Sequence, residues 1–460
     1  MSRWLAYGLV MIGLIGSIVN AGDFSLKEID GASSEVVEAA KSVTENGELQ
    51  QVDKAFAALR RAAAGGDHMA SLVLGYCHEF GRGTPRSLPL AQSSYLAAAN
   101  AGSVAGMRRY GRVLRTGASP NFAAAREWLS KADEAGDSGA KLELARMDLA
   151  GEGIARPDPD KARFLMKMVA EAGSLDAMIE LGRGEKLGLF GEKPNHEEAK
   201  RWIERAAKEN NAVATLELGF LYEEGKGVHA DADRALFYYR SAAQQDLPQA
   251  QYHLGMCALK GVGGEKDEKA AVEWFRKAAE LDSTLAMFQL ARIYENGAPG
   301  IAQDFSKSND LYLKAAELGN LRSQNQLGIK YRDGRGVKTD HQKALKWFSS
   351  AASQRFPPAM INLGLVYEQG HETVPQDYAV AARLYTEAAK QGDAIGQFLL
   401  ARLFESGNGV AKDPIAAFVL AVESARLGHK QAATLSAKLK KQLTPEQLKT
   451  AESRLGRKIP

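Results

Sequence analysis

The sequence predicts an all-α fold built from about ten stacked helix–turn–helix repeats, and three observations support this prediction. A leucine slot recurs at intervals of 34–37 residues, a small residue stands four positions before each slot, and a glycine stands seven positions after it. Self-similarity at such a period is typical of repeat arrays, in which each unit buries its apolar face against its neighbours. The slot is occupied by Leu74, Tyr110, Leu144, Leu181, Leu218, Leu254, Leu290, Leu327, Leu363 and Leu400.

The residues before the array contain a predicted export signal. Arg3 is followed by an apolar run from Trp4 to Val19, and Ala21 ends a stretch of small residues suited to a signal peptidase. The sequence therefore predicts a signal peptide over residues 1–21 and an exported protein, periplasmic or secreted, with no membrane segment in its mature form. The alternative is an uncleaved N-terminal anchor, because the run is long for a signal core and short for a bilayer-spanning helix.

Within each repeat, the small residues and the glycine predict two helices and the turn between them. Small residues four before and one after the leucine slot lie on one side of a helix, where a second helix can approach closely. The later glycine can adopt the left-handed conformation that ends a helix. The second helix begins near an aspartate, as at Asp160 and Asp267, whose side chain can cap backbone amides. Aromatic pairs such as Trp347-Phe348, with an alanine pair four residues later, give that helix an apolar stripe.

Helices at both ends are predicted to seal the array, because a terminal repeat has no neighbour to cover its apolar face. Residues 22–46 form a predicted linker with a short helix, and residues 47–69 a predicted N-terminal capping helix. The ten repeats extend over residues 70–429, and residues 430–460 form predicted C-terminal capping helices. In the last helix, a Thr-Pro-Glu-Gln sequence has the spacing of a capping box.

The run AVATLELGFLYEEGKGVHADADRALFYYRSAA at residues 212–243 resembles a Sel1-like repeat, a relative of the tetratricopeptide repeat. The resemblance covers about residues 50–440. It implies a right-handed α-solenoid superhelix and a role as an adaptor that holds other proteins together. It also implies that the first helices line a concave surface, as in tetratricopeptide-like arrays.

The chain has no motif that predicts catalysis, a cofactor or a metal site. Its Gly-x-Gly doublets follow predicted helices and lack the third glycine of dinucleotide-binding loops, and its eight histidines have no metal-ligand spacing. One Ser-x-x-Lys pair, Ser138 and Lys141, matters because some cysteine-rich members of the resembled family are linked to penicillin binding and β-lactamase activity. Those relatives have a disulfide in each repeat, whereas Cys77 and Cys257 lie five repeats apart and are predicted to be buried and not bonded to each other. The sequence therefore predicts a protein that is not an enzyme.

The charge pattern predicts no nucleic-acid partner. The formal net charge is +3 over 460 residues, and the lysines and arginines form no cluster. Nucleic-acid-binding domains normally have a basic patch or stripe on one face.

A partner-binding groove is predicted from the positions that the repeat pattern leaves variable. Residues one before and two after the leucine slot share a flank of the first helix at about 100° per residue. Apolar groups with polar surroundings on this flank suit an extended or helical peptide. The alternative is that these side chains pack against the neighbouring repeat and that their Glu/Arg pairs stabilise the helix. The predicted groove residues are Arg109, Arg112, Arg146, Arg183, Phe220, His253, Met256, Arg292, Ile329, Leu365 and Arg402.

Together these features predict a non-catalytic scaffold or adaptor that binds a protein or peptide in the cell envelope. A further candidate contact is Phe190, which is predicted to be exposed in the interrupted turn of the fourth repeat. Three alternative functions stay open. They are a periplasmic regulator that inhibits a membrane sensor, a β-lactam-binding or other envelope hydrolase that uses Ser138, and a secreted effector that binds a host protein.

Overall fold

The computed structural model describes residues 24–44, 49–191, 193–371, 374–456 and 458, and the predicted signal peptide lies outside these residues. Over the described ranges the chain forms 24 α-helices, one 3-10 turn at Leu26–Ile29 and no β-strand beyond two isolated bridges. The all-α repeat architecture predicted from the sequence is confirmed.

Twenty of the helices alternate as the first and second helices of ten repeats. The first helices are α3 (His68–Phe80), α5 (Val104–Thr116), α7 (Ser138–Ala150), α9 (Leu175–Leu187), α11 (Ala212–Glu224), α13 (Pro248–Lys260), α15 (Thr284–Asn296), α17 (Leu321–Asp333), α19 (Pro357–Gln369) and α21 (Ala394–Ser406). The second helices are α4 (Leu88–Asn100), α6 (Phe122–Glu134), α8 (Pro159–Glu171), α10 (His196–Lys208), α12 (Ala232–Ala243), α14 (Glu268–Glu280), α16 (Phe305–Glu317), α18 (His341–Ser353), α20 (Tyr378–Lys390) and α22 (Pro414–Arg426). Before them come α1 (Ser34–Thr44) and α2 (Leu49–Ala64), and after them α23 (Lys430–Lys440) and α24 (Pro445–Leu455).

Side-chain caps start most of these helices. Asp267 caps α14 by accepting a hydrogen bond from the amide of Ala270 at 2.9 Å. In α8 the cap is Asp158, and Asp160, which the sequence suggested, lies in the first turn instead. The helix begins two residues earlier because Pro159 fits the first helical position, where its missing amide costs no hydrogen bond.

A glycine follows the first helix of every repeat, as predicted, and nine of the ten have a positive φ angle. At Gly225, φ is 65° and the residue closes α11 in the left-handed conformation, which costs other residues roughly 1–2 kcal/mol. Gly117 is the exception, because its φ is −66° and the chain leaves α5 in an extended conformation.

Every second helix buries its eighth residue. This residue is Tyr95, Leu129, Met166, Ile203, Tyr239, Phe275, Tyr312, Phe348, Tyr385 or Ala421, and each is at most 1% exposed. The small residue after the leucine slot makes the space available: a Cβ atom on Gly255 would lie 2.6 Å from Cε1 of Phe275. Of the aromatic pairs predicted for the core, Trp274 and Trp347 remain half-buried and only their following phenylalanines are enclosed.

Phe190 is buried, so the prediction that the fourth-repeat turn exposes it is wrong. Its ring lies against Gly184 in α9, where any Cβ atom would overlap it, and Leu189 beside it is buried as well. A glycine inside α9 leaves a depression that the turn fills with its own aromatic ring. This turn therefore offers no aromatic contact to a partner.

The chain divides into two compact units, with the boundary between Tyr238 and Tyr239. In the first unit, α1 packs on α2 and adds Val36 and Val43 to the core beside repeat 1. In the second unit, α23 and α24 cover repeat 10, and α24 opens with a capping box in which Thr444 and Gln447 exchange hydrogen bonds of 2.9 and 3.2 Å. Within the described ranges, no helix has the length and apolar character needed to cross a lipid bilayer.

Both cysteines are buried and are not bonded to each other, as predicted. Burial raises the pKa of the Cys77 thiol to about 12, and only the thiolate reacts with alkylating reagents. We expect no adduct on either cysteine when the native protein is treated with iodoacetamide at pH 8, and two adducts in denaturant, as measured by intact mass. An adduct on the native chain would contradict the burial of these residues.

Candidate partner-binding surface

The predicted groove residues lie on one flank of the first helices, here called the first-helix face. It consists of the residues one before and two after the leucine slot in each repeat. In the first unit this face has mostly charged side chains, and in the second unit it has mostly apolar or uncharged side chains. The two units are therefore described separately.

In the first unit, arginines of the first-helix face bind carboxylates of the next repeat. Arg146 in α7 makes two hydrogen bonds to Glu180 in α9, and the bond from its Nε is 3.0 Å long. Arg183 in α9 donates to Glu217 in α11 at 2.7 Å. With the bond from Arg115 to Glu143, these pairs form a continuous series along repeats 2–5, here called the ion-pair ladder.

Glu143 is a buried carboxylate of the ion-pair ladder, with 5% of its surface exposed. It lies 2.8 Å from Nη1 of Arg115 and 2.5 Å from Nη1 of Arg146. Burial by itself raises the pKa of Glu143, but the charges of Arg146, Arg115 and Arg112 outweigh that effect and hold its pKa at about 2. For these arginines the structure agrees with the alternative interpretation, in which the face packs against the neighbouring repeat.

Arg109 is a predicted groove residue that is completely buried, so it does not line an open surface. It is covered by residues Phe24–Ile29, here called the N-terminal strap, in a region predicted to be a linker. Glu28 accepts hydrogen bonds from Nε and Nη2 of Arg109 at 2.7 and 2.9 Å. Although burial raises the pKa of Glu28, the hydrogen bond and charge of Arg109 and the charge of Arg108 hold it below its usual range.

Sequence reasoning missed a recurring clasp between the two helices of a repeat. A tyrosine hydroxyl at the eighth position of the second helix donates to a glutamate five residues after the leucine slot. Such clasps join Tyr95 to Glu79 at 2.7 Å, Tyr312 to Glu295 at 2.9 Å and Tyr385 to Glu368 at 2.7 Å. The coincidence of that tyrosine and that glutamate in the same repeats is the sequence signal that could have revealed it.

A cation from the next repeat completes each clasp. Arg112 donates to Glu79 at 3.0 Å, and Arg402 donates to Glu368 at 3.3 Å. At Glu295 the cation is Lys330, a buried residue one position farther along its helix, at 2.8 Å. Two more of the predicted groove arginines thus join one repeat to the next.

The second unit has a different first-helix face. Met256, Ile329 and Leu365 are half-buried there, packed at their bases against the core and open on one side. Between the last two, the side-chain amide of Asn362 donates to Asn325 at 2.9 Å. The result is a strip of mostly apolar and amide side chains, in which Asn362 also accepts a hydrogen bond from Arg332 at 3.3 Å.

The other predicted groove residues have partial neighbours. Arg292 is exposed and has only a long contact of 3.5 Å to Gln289. His253 stacks on the ring of Tyr239 at 6.0 Å, and the ammonium of Lys186 lies 5.5 Å above the ring of Phe220. Of these, Arg292 is the side chain most accessible to a partner.

An open polar cavity of about 470 Å³ adjoins the N-terminal strap. It extends along repeats 2–4 and is lined by charged side chains and by the first turn of α7. Exposed Ser138 is part of this lining, but the ammonium of Lys141 lies 2.8 Å from Asp133, with which it forms an ion pair. Across the part of the chain that the structure describes, no three His, Cys, Asp or Glu side chains are grouped as metal ligands.

The repeat pattern matches a known family along most of the chain. The sequence model of the Sel1 repeat matches ten consecutive segments that run without a gap from residue 68 to residue 429. The matched segments are 68–103, 104–137, 138–174, 175–211, 212–247, 248–283, 284–320, 321–356, 357–393 and 394–429.

Among characterised proteins, the alginate biosynthesis protein AlgK of Pseudomonas syringae is 32% identical over 160 residues, which are 34% of each chain. The ERAD-associated E3 ubiquitin-protein ligase component HRD3B of Arabidopsis thaliana is 35% identical over 99 residues, which are 21% of this chain and 15% of that protein. The match spans well under two thirds of the length of each of these relatives.

Solved structures resemble the chain over more of its length. A protective antigen of uropathogenic Escherichia coli with an SLR fold is 27% identical, with 95% of this chain and 94% of that chain covered and a TM-score of 0.54. A Sel1 repeat protein from Oxalobacter formigenes is 29% identical, with 68% and 89% covered and a TM-score of 0.50.

Proposed function

The chain belongs to the Sel1 repeat family, whose members generally mediate protein–protein interactions, and we propose that it is a scaffold that binds a protein segment on the first-helix face of its second unit. One observation supports this choice of site above the others. Met256, Ile329 and Leu365 are half-exposed apolar side chains on that face, whereas the arginines at the same positions in repeats 2–4 are engaged in ion pairs.

The strip suits a segment that offers apolar side chains to it and polar groups to its margins. Burying an apolar side chain contributes about 25 cal/mol for each Å² removed from water. The half-buried side chain of Asn362 can add a hydrogen bond to a backbone or a polar side chain. Because all of these groups are held by helices, little ordering opposes binding on the side of the scaffold.

The proposal does not include catalysis. Ser138 and Lys141 occupy the first turn of α7, where Lys141 pairs with Asp133 and Ser138 faces solvent. The start of a helix and the ion pair with Asp133 explain why these two polar side chains are present, without a catalytic role.

We also propose that the protein works outside the cytoplasm, in the periplasm or beyond the cell, on the basis of the apolar segment that precedes Ala21. Recovery of a mature chain that begins at Gly22 from the envelope fraction would test this location.

The test of the binding site begins with capture in the cell. A photo-crosslinking amino acid is placed at exposed Arg292 and, as a reference, at Leu427, which is exposed at the end of a second helix. A partner captured only from the first position is then purified, and its affinity is measured by calorimetry. Replacing Met256, Ile329 and Leu365 by alanine is expected to weaken binding about 100-fold, since each lost apolar contact removes on the order of 1 kcal/mol.

The matched control replaces three exposed leucines of the same unit, Leu281, Leu318 and Leu427, by alanine. They lie at the C-caps of second helices, away from the first-helix face, and the affinity is expected to stay unchanged. Circular dichroism checks that both triple variants keep their helix content. Equal loss of affinity in both variants, or in neither, would move the binding site elsewhere on the molecule.

A further inference from the structure

We propose that the first-helix face of repeats 1 and 2 is a peptide-recognition site and that the N-terminal strap is its resident ligand. The ligand chemistry is an aromatic side chain followed four residues later by a glutamate and then by an aliphatic residue. This site lies in the first unit, so it is separate from the site of the proposed function and can be tested independently of it.

The aromatic part of the site is built from first-helix residues. Phe24 of the N-terminal strap is 8% exposed, and its ring centre lies 5.3 Å from that of Tyr76. The guanidinium of Arg109 lies 5.1 Å from the same ring, within the range of a cation–π contact. Tyr76 and Arg109 stand two after and one before their leucine slots, so the ring of Phe24 occupies the positions from which the groove was predicted.

The part of the site that binds the glutamate consists of two arginines, Arg108 and Arg109. Glu28 accepts two hydrogen bonds from Arg109, and Nη2 of Arg108 lies 3.3 Å from the same carboxylate. Paired bonds of this kind fix both the position and the orientation of a carboxylate. Ile29, the next residue, is 1% exposed and completes the contact.

The strap is bound in the manner of a peptide. It contains a single 3-10 turn held by its own capping box between Ser25 and Glu28, and residues 30–33 connect it to α1. Phe24 and Ile29 are buried, and Leu26 and Glu28 are partly buried. If the leader is removed after Ala21, as the sequence predicts, Phe24 becomes the third residue of the chain and the strap becomes an end that can leave without threading.

The polar cavity of about 470 Å³ continues from Ser25 and Glu28 along repeats 2–4. A longer ligand that replaced the strap would have room to extend into it, next to Arg112 and Arg146. The occupant is the N-terminal segment of a second copy of this chain, which has the same ligand chemistry as the resident strap.

The test uses the full chain with the strap disabled by Phe24→Ala and Glu28→Ala. A fluorescently labelled peptide of residues 22–31, GDFSLKEIDG, is titrated with this variant and with the unaltered chain, and binding is followed by anisotropy. The disabled variant is expected to bind the peptide at least tenfold more tightly than the unaltered chain, whose own strap competes. Peptides with Phe24→Ala or Glu28→Ala are expected to bind at least tenfold more weakly. A folded variant that does not bind the peptide would overturn the proposal.

A second measurement needs no variant. Hydrogen exchange of the unaltered chain is compared with and without excess unlabelled peptide. Faster exchange at the amides of residues 25–29, with unchanged exchange in α3 and α5, is the expected sign of displacement. Unchanged strap amides at saturating peptide would contradict the proposal.

Mixing two differently tagged full chains tests whether a second copy is the occupant. Co-capture of the two chains is expected, and it should be lost when the strap is disabled in both. Peptide binding without co-capture would overturn the second copy as the occupant.

Discussion

Replacing Phe348 by alanine is expected to lower the free energy of unfolding by about 3–5 kcal/mol, as measured by urea denaturation followed by circular dichroism. The side chain is completely buried in the core of the second unit. Its removal therefore leaves an internal cavity that water does not fill. The matched control is Phe237→Ala in a second helix of the first unit. Its ring is 65% exposed, and its removal is expected to cost less than about 1 kcal/mol.

A compensating change tests the contact itself. A Cβ atom on Gly328 would overlap the ring of Phe348, so Gly328→Val alone is expected to destabilise the chain by about 1–3 kcal/mol through overpacking. When Phe348 is alanine, the valine can enter the vacated space. The double variant should therefore lose at least about 1 kcal/mol less than the sum of the single losses. Strict additivity would mean that the two residues do not share this space.

Replacing Glu143 by glutamine is expected to destabilise the first unit by about 3 kcal/mol at pH 7. The substitution removes the carboxylate that lies between Arg115 and Arg146 and leaves enclosed guanidinium groups without that counter-charge. The control is Glu127→Gln, which breaks an exposed pair with Lys131 and should cost less than about 1 kcal/mol. Equal effects of the two substitutions would show that the ion-pair ladder adds no stability beyond that of a surface pair.

The lowered pKa of Glu143 leads us to expect that the free energy of unfolding depends on pH. Because the pKa of Glu143 is about 2 in the folded chain and near its usual value of 4.5 when unfolded, the unfolded chain binds a proton at pH values where the folded chain does not. The stabilisation is therefore fully present above about pH 5 and is lost as the pH falls towards 2. The difference in unfolding free energy between the unaltered chain and Glu143→Gln should shrink over this range. A constant difference from pH 7 to pH 2.5 would contradict the assignment.

The parts of the fold that could be predicted from the sequence are those set by local rules repeated many times. The period, the glycine after each first helix and the capping box at Thr444 each depend on residues a few positions apart, so the pattern reveals them directly. Helix boundaries were less certain, as Asp158 illustrates, because two aspartates flank the same proline.

The sequence predicted the candidate site as a flank of the helices, with arginines and glutamates in repeats 2–4 and apolar residues among amides in repeats 5–9. It did not predict which charged side chains pair across neighbouring repeats. The partner of Arg146 depends on how far α9 is displaced along α7, and Glu180 lies 34 residues away in the sequence. The N-terminal strap could not be predicted for another reason. It occurs once, so the repeat contains no trace of it, and the packing of Phe24 on Tyr76 and the hydrogen bonds of Glu28 with Arg109 reveal where it binds.

Repeats 3 and 4 have complementary charges on the two sides that contact their neighbours. Each presents a glutamate one before its slot towards the preceding repeat and an arginine two after the slot towards the following one, so a copy of either joins its own original with complementary ends. The ion-pair ladder ends at repeat 5, because Phe220 occupies the position that an arginine occupies in repeats 3 and 4. A second copy of repeat 4 placed after the first would therefore meet it with the same arginine–glutamate pair. Duplication of repeat 5 would leave the second copy of Glu217 facing an aromatic ring.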